Sequence, residues 1–504
     1  MHDMFDPILL WNEIALEANR VSHSNGAGEQ TGPPLSARAL AIVHVAMYNA
    51  YTVAKKLPPA TATDLFINEA VAGAAYRTLS VLYPTQKPAF DRFLTASGDA
   101  TMAGAAHVLG VLAADDILGD RAADPGVGSA THQQSNLPSR HRPDPDNSGQ
   151  GFHAPDYGKK SKGFGITKRF RLAPPPYGNA EYDAALSQVR QKGIKPELIA
   201  TLPAGSSPRT PEETLIGLYW GYDGALNLGT PPRLYNQIVR KIAEQRNAGN
   251  VGANARLFAL VNVAMADAGI LAWEQKYVHD FWRPVVGVRE ADPSMGPGTP
   301  PAAAAPFNTQ CDPNWLPLGA PLSNRIGKNF TPNFPAYPSG HATFGAAALH
   351  MTRLFYGEGG TFAAKSIGPD TLFNGLDFVS EEFNGNTTDN TGTVRPRHHR
   401  RFSNGLWQMI EENGLSRIYL GVHWIFDAFV LKAGDPELYR SVVDANGETL
   451  YFGGVPLGLQ IAEDIFAAAN GGGPKKSNVN PLAASNTEVL EKGRSPTNAS
   501  SYVR

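Results

Sequence analysis

The chain has a single cysteine, Cys311, in 504 residues. One thiol excludes an intrachain disulfide and any zinc site built on several cysteines, and it fits a reducing compartment. Charge is also scarce. Asp, Glu, Lys and Arg make up 18% of the residues, and the formal net charge is −2. No basic excess invites nucleic acid, and no acidic excess marks a solvating tail. Long apolar runs are missing too. The nearest, "LFALVNVAMADAGILAW" at 257–273, is short and carries Asn262 and Asp267. It reads as a buried bundle helix rather than a membrane span. The opening "MHDMFDPILLWNEIALEANR" has no basic stretch leading into an apolar run, so no Sec leader is expected. A soluble protein is expected, either cytoplasmic or exported by a non-Sec route. There is no H-E-x-x-H, and the 13 histidines form no cluster with carboxylates at ligand spacing. His398 and His399, in "RHHR", read as a solvated basic loop, and His44 and His350 as packed structural histidines.

Helical spacing is abundant. It predicts helices near 7–23, 35–56, 63–83, 86–96, 99–118, 179–192, one opening near 211 with "PEETLIGLYWGYDG", 232–247, 253–279, after His341, at 400–414 and near 416–431. Alternation of the β type is rare, so the expected class is all-α, built from two helical bundles. The 51 Gly and 40 Pro imply long ordered loops. The longest, 124–165, reads as a surface loop or flap. The expected division is an N-terminal bundle over 1–200, a C-terminal bundle over 201–469 carrying the site, and a loose polar tail over 470–504.

Three segments carry the chemistry. The first is "KYVHDFWRP", with Lys276 and Arg283 seven residues apart. On a continuous helix that is two turns, about 10.5 Å along one face. Pro284 disfavours helical geometry at Arg283 and can turn it toward a site. Trp273, Tyr277, Phe281 and Trp282 make the surroundings aromatic, and a buried cation needs an anion. The second is "YPSGHATFG", in which Ser339, Gly340 and His341 open a helix that Gly357 would end. A helix start offers unpaired N–H groups to an anion; the plainer reading is a serine cap with a histidine nearby. The third is "SRIYLGVHWIFDA". Arg417 and His423 are six apart, about 240° round an ideal helix, so either a helix begins between them or Arg417 reaches round. Taken alone, His423 would be a core histidine. Together the three segments supply three cations, a hydroxyl, an N–H and two imidazoles. That set suits a tetrahedral or trigonal-bipyramidal oxyanion such as phosphate, sulfate or vanadate.

K-x6-R-P, P-S-G-H and S-R-x5-H in this order resemble the signature of the vanadium haloperoxidases and the related type 2 phosphatidic acid phosphatases. The flanks "FWRPVVGVR", "FPAYPSGHATFG", "LYWGYDG" and "GGVPLGLQIAEDIF" resemble the fungal chloroperoxidase branch of that family. The likeness runs from about residue 11 to about 467.

The resemblance implies a vanadate cofactor. His423 would bind vanadium, and Lys276, Arg283, Ser339, Gly340 and Arg417 would hydrogen-bond the oxygens. His341 would act as acid/base, and Asp223 would pair with Arg417. Hydrogen peroxide and halide would be the substrates and hypohalous acid the product. Trp273 and Phe334 would line a halide pocket that favours chloride, with bromide and iodide easier. A small organic acceptor and a homodimer remain open. So does a second activity of the same cage, a vanadate-inhibited acid phosphatase with His423 as nucleophile. A non-catalytic anion binder would need no paired histidines.

Overall fold

The computed structural model describes residues 6–96, 103–128, 132–299, 306–357, 368 and 371–482. Helices dominate them: α1 Pro7–Ser22, α2 Pro33–Lys55, α3 Asp64–Leu82, α4 Lys87–Ala96, α5 Ala105–Asp120, α6 Tyr157–Lys160, α7 Ala180–Lys192, α8 Pro211–Tyr219, α9 Pro231–Arg246, α10 Val251–His279, α11 Pro284–Arg289, α12 Gly340–Tyr356, α13 Gly405–Tyr419, α14 Ile425–Ala428 and α15 Gly454–Ala469. The class is all-α, as the spacing predicts. Local rules set many of the ends. Asp6 caps α1 through Ile8 N and Leu9 N, with Pro7 at the first position. Thr210 and Glu213 form a capping box on α8. Gly357 ends α12 in the left-handed conformation, φ 80°. The start of the helix expected at 99–118 falls outside the described residues.

Helix α10 is the axis. It packs against α2, α12 and α15. Its apolar residues point all round and are almost all buried, which is why they show no amphipathic stripe. The buried side chains of the two expected halves join in one apolar core, from Ile8 to Ala469. Two glycines let α15 lie directly on the first turns of α12. A Cβ at Gly454 would stand 2.5 Å from Ser339 O, and one at Gly458 would stand 2.4 Å from Thr343 O. Only glycine permits that approach, and it pins the segment that carries Ser339, Gly340 and His341.

Several expectations change. Lys276 and Arg283 do not share a helix. α10 stops at His279, Asp280 is left-handed at φ 49°, and Arg283 is extended at φ −78°, ψ 155°. Pro284 imposes this by excluding helical geometry at the residue before it. The helices expected at 400–414 and 416–431 are replaced by a strand, Arg400–Phe402, then α13, then the short α14. Helix α13 ends at Tyr419, where Gly421 (φ 73°) reverses the chain. The segment 431–451, unassigned by its pattern, forms two small hairpins: Leu431–Lys432 with Asp435–Tyr439, and Ser441–Val443 with Thr449–Tyr451.

The stretch 124–165 is not a plain surface loop. His141, Arg142, Asp144, Tyr157 and Ser161 are buried. His141 N donates to Asp280 O and Trp282 N to Ser139 O, both at 2.9 Å. The Asp267 carboxylate in α10 accepts from Phe164 N, Gly165 N and Ile166 N at 2.6–2.9 Å. Nor is the beginning of the expected tail loose. Ser477 is buried, its N donates to Phe164 O, and its Oγ donates to Ile166 O. Polar backbone groups, satisfied by partners distant in sequence, order both segments.

Candidate active site

The three motif segments and the 220–223 turn meet at one small cavity. Asp223, Gly340, His341, Arg417 and His423 form its polar wall. Trp273, Phe334, Phe344 and three prolines, Pro33, Pro231 and Pro332, form its apolar wall. Lys276 and Arg283 stand just behind the polar wall. Arg283 Nη1 lies 2.9 Å from His423 Nε2, and Lys276 Nζ is 2.5 Å from Pro338 O.

Each cation is held from outside the site. Lys276 Nζ also donates to Pro335 O (2.9 Å) and Ala336 O (3.1 Å). Arg283 Nε donates to Phe334 O at 2.9 Å and Nη1 to Val422 O at 2.7 Å. Arg417 forms a forked pair with Asp223, Nη1 to Oδ2 at 3.0 Å and Nη2 to Oδ1 at 2.7 Å. Both arginines keep one buried donor without an acceptor among the described residues: Arg283 Nη2 and Arg417 Nε. Buried donors of this kind are costly to leave unpaired, so they call for an anion. Burial, with Arg283 and Arg417 nearby, pushes the Lys276 ammonium well below its usual value. Burial brings the Arg283 guanidinium down to about 9; the Asp427 carboxylate opposes the shift and Arg417 adds to it. Three cations packed this closely face too little negative charge. A bound oxyanion supplies it, so the residues present fit vanadate or phosphate.

The two imidazoles are fixed as different tautomers. His341 Nε2 faces Gly221 O at 2.8 Å. A carbonyl only accepts, so the neutral ring carries its proton on Nε2 and leaves Nδ1 as a base. Burial first, then the Arg417 charge, lowers this imidazole to about 4; Asp223 and the Gly221 and Trp220 carbonyls oppose the shift. His341 stands on α12 directly after Gly340, whose N–H belongs to the unpaired first turn. Ser339 caps that helix, its Oγ accepting from Ala342 N at 3.4 Å. Asn413 Nδ2 (2.7 Å) and Tyr235 Oη (3.1 Å) donate to His341 O and anchor its backbone.

His423 has the opposite arrangement. Its Nδ1 lies 2.7 Å from Asp427 Oδ2, which also accepts from Trp424 N at 3.0 Å. Nδ1 therefore carries the proton and Nε2 presents a lone pair, here met by Arg283. Burial and the charges of Arg283, Lys276 and Arg417 hold the ring well below its usual value, so it is neutral. A neutral imidazole with a carboxylate behind it is the form that ligates a metal. Burial raises the Asp427 carboxyl to about 7.

The aromatic pair is tightly placed. The Trp273 and Phe334 ring centroids are 4.9 Å apart. Lys276 Nζ and the Arg283 guanidinium each sit 4.9 Å from the Phe334 centroid. Phe334 therefore packs against two cations as well as facing the cavity.

Seven of the ten residues expected from the sequence line this cavity; of the other three, Arg283 meets His423, Lys276 meets Pro338 O, and Ser339 directly precedes Gly340. Sequence reasoning missed Asp427 and the Gly221 carbonyl. Asp427 had a signal, its i+4 spacing from His423 in "HWIFD". The carbonyl had none.

A family model described as the VCPO second helical-bundle domain matches residues 256–432, and one described as the vanadium chloroperoxidase N-terminal domain matches residues 5–150. The chain is 35% identical to the vanadium chloroperoxidase of Curvularia inaequalis, over 97% of this chain and 94% of that one. The chain belongs to the vanadium haloperoxidases. Its fold is that of a bacterial vanadium-dependent iodoperoxidase (TM-score 0.55, 17% identity, 91% of this chain and 96% of that one). It is also that of a bacterial vanadium-dependent chloroperoxidase in its holo form (TM-score 0.59, 14% identity, 88% and 93%). As a vanadium haloperoxidase it oxidises halide with hydrogen peroxide.

Proposed function

We propose that this haloperoxidase holds vanadate between His423 and His341 and oxidises chloride as well as bromide and iodide to hypohalous acid. The observation that carries the reading is the pair of unpartnered buried donors, Arg283 Nη2 and Arg417 Nε, set beside two neutral imidazoles of opposite tautomer. His423 Nε2 would be the ligand, in place of its present contact with Arg283. Arg283, Arg417, Ser339 and the Gly340 N–H would hold the oxygens, and Lys276, whose three N–H groups go to the Pro335, Ala336 and Pro338 carbonyls, would add its charge from behind. Vanadate, when bound, supplies a Lewis-acidic centre that activates peroxide toward halide.

The chain's own residues do the rest. His341 Nδ1 takes the proton that peroxide loses on entering, and returns one to the departing oxygen. Asp223 keeps the Arg417 fork fixed, so no reorientation is needed as charge develops. Asp427 holds His423 in its ligating tautomer. Trp273, Phe334 and Phe344 exclude water from one side, and the Lys276 and Arg283 charges behind Phe334 offset the cost of desolvating a small halide there. Chloride in the range follows from Phe334, an apolar wall with two cations behind it.

The test is halogenation of monochlorodimedone by hydrogen peroxide, with and without orthovanadate, in chloride and then in bromide. Vanadate-dependent turnover in both is expected, and none in His423→Ala. Turnover in bromide alone sinks the chloride assignment. The His423–Asp427 pair also suits a phosphoryl acceptor, so a p-nitrophenyl phosphate assay of vanadate-free protein belongs beside it. Hydrolysis without any halogenation would make the phosphatase reading the right one.

A further inference from the structure

The turn at residues 220–223 supplies two groups to the site, Gly221 O to His341 and the Asp223 carboxylate to Arg417. Nothing within the turn explains why it stays in place. Tyr222 is left-handed at φ 52°, a conformation that strains a bulky aromatic residue. Its support comes from residues 380–395, between α12 and α13. Tyr222 N donates to Glu382 Oε1 at 3.1 Å. The carboxylate is seated so closely that a Cβ at Gly221 would lie 2.4 Å from Oε1. Its other oxygen accepts from Ser323 Oγ and from Arg395 Nη1, each at 2.6 Å. Glu382 is fully buried. The same segment grips both ends of the turn: Ser380 Oγ donates to Tyr219 O at 2.6 Å, and Glu381 N to Tyr222 Oη at 2.9 Å.

We propose that Glu382, held by Arg395 and Ser323, is a positioning residue for the reaction, fixing the Gly221–Asp223 turn so that His341 keeps its proton on Nε2 and Arg417 keeps its fork. Arg395 alone would give a stabilising ion pair. Two features go further. The free carboxylate oxygen is spent on the one backbone N–H that a left-handed Tyr222 exposes. The residues on either side of that N–H then meet the acid/base histidine and the cage arginine. The peptide on which Gly221 O sits is the peptide whose N–H Glu382 accepts, so a displaced Glu382 rotates that carbonyl away from His341.

The activity arm of the test rests on the haloperoxidase reading, and the spectroscopic arm does not. Glu382→Gln keeps the shape and removes the charge that holds Arg395 and Ser323. In vanadate-free protein, 15N NMR of the imidazoles, with His341→Ala for assignment, should show wild-type His341 as the Nε2–H form. In Glu382→Gln that signal should shift or broaden toward a tautomer mixture. Loaded with vanadate, the variant should lose about 10- to 100-fold in kcat, with halide KM changed by less than about threefold. Glu382→Asp should recover part of the loss, and Ser323→Ala should show a smaller change in the same direction. A folded Glu382→Gln that melts earlier but keeps the wild-type His341 signal and kcat overturns the proposal. If Glu382→Gln does not fold, Ser323→Ala decides, and an unchanged His341 signal there is likewise fatal. A wild-type enzyme without halogenation would sink the functional reading, and the tautomer comparison would still judge this one.

Discussion

Asp223→Asn tests the charge balance of the cage most directly. Arg417 is 1% exposed, and Asp223 is its only carboxylate partner among the described residues. The forked pair satisfies Nη1 and Nη2, while Nε is already unpartnered. An asparagine can accept at one oxygen, but its amide turns two N–H groups toward the other guanidinium nitrogen. Among the described residues, Asp427 then remains as the carboxylate acting on Lys276 and Arg283, and Arg417 keeps none. Removing one partner of a buried pair costs about 3–5 kcal/mol, because the remaining charge has no water to return to. For a chain of 504 residues that lowers the melting temperature by roughly 3–5 °C. Added orthophosphate or orthovanadate supplies the missing negative charge and should return part of the loss. The assay is thermal unfolding of vanadate-free protein, with and without either anion. A variant that melts within about 1 °C of wild type without anion refutes the reasoning: the pair would then not be what makes the buried guanidinium tolerable.

Other outcomes follow from the same geometry. Asp427→Asn removes the charge behind His423 and leaves an amide N–H₂ where an unpartnered carboxylate oxygen now sits; vanadate affinity, read by titration calorimetry, should fall about 10- to 100-fold. Phe334→His gives up two cation–π contacts of about 1 kcal/mol each, and chloride kcat/KM should fall by about tenfold, with bromide less affected. Stability should also fall in acid. Burial lowers His44, His153 and His341 from 6.5 to about 4. Between those values the unfolded chain binds protons that the folded chain does not, so stability rises with pH across the window. Each such histidine contributes about 1.4 kcal/mol per pH unit, and the loss is complete below about pH 4. Denaturant titrations from pH 4 to 7 measure the slope, which the raised Asp267 and Asp427 carboxyls partly offset; His44→Gln should flatten it, and an unchanged slope would show that this ring is not buried neutral.

Much of the framework was legible in the chain itself. Apolar spacing and caps placed α1 to α4 and α7 to α10 within a few residues, because those signals are local. Pro284 foretold that Arg283 would leave the helical line, and the spacing placed the end of α10 at His279. Around Arg417 and His423 the local signal failed. The apolar run "IYLGVHWIF" looks helical, but Gly421 reverses it and long-range packing places His423 in the turn. The order in 124–165 and 470–482 was also hidden. Asp267, Asn333 and Ile166 satisfy their polar groups, and none of these is a neighbour in sequence.

The sequence by itself determined the helical class and the inventory of the cage: three cations, a helix start and two histidines, with spacings that pair them. It could do so because residue type and short-range periodicity carry that information. Only the tertiary structure decided which imidazole nitrogen is a base and which is a ligand, since Gly221 O and Asp427 set the tautomers. It also decided how far burial and crowded charge displace each group from its ordinary pKa. Those are properties of what surrounds a side chain, and Gly221 beside His341 and Arg283 beside His423 come from 120 and 140 residues away.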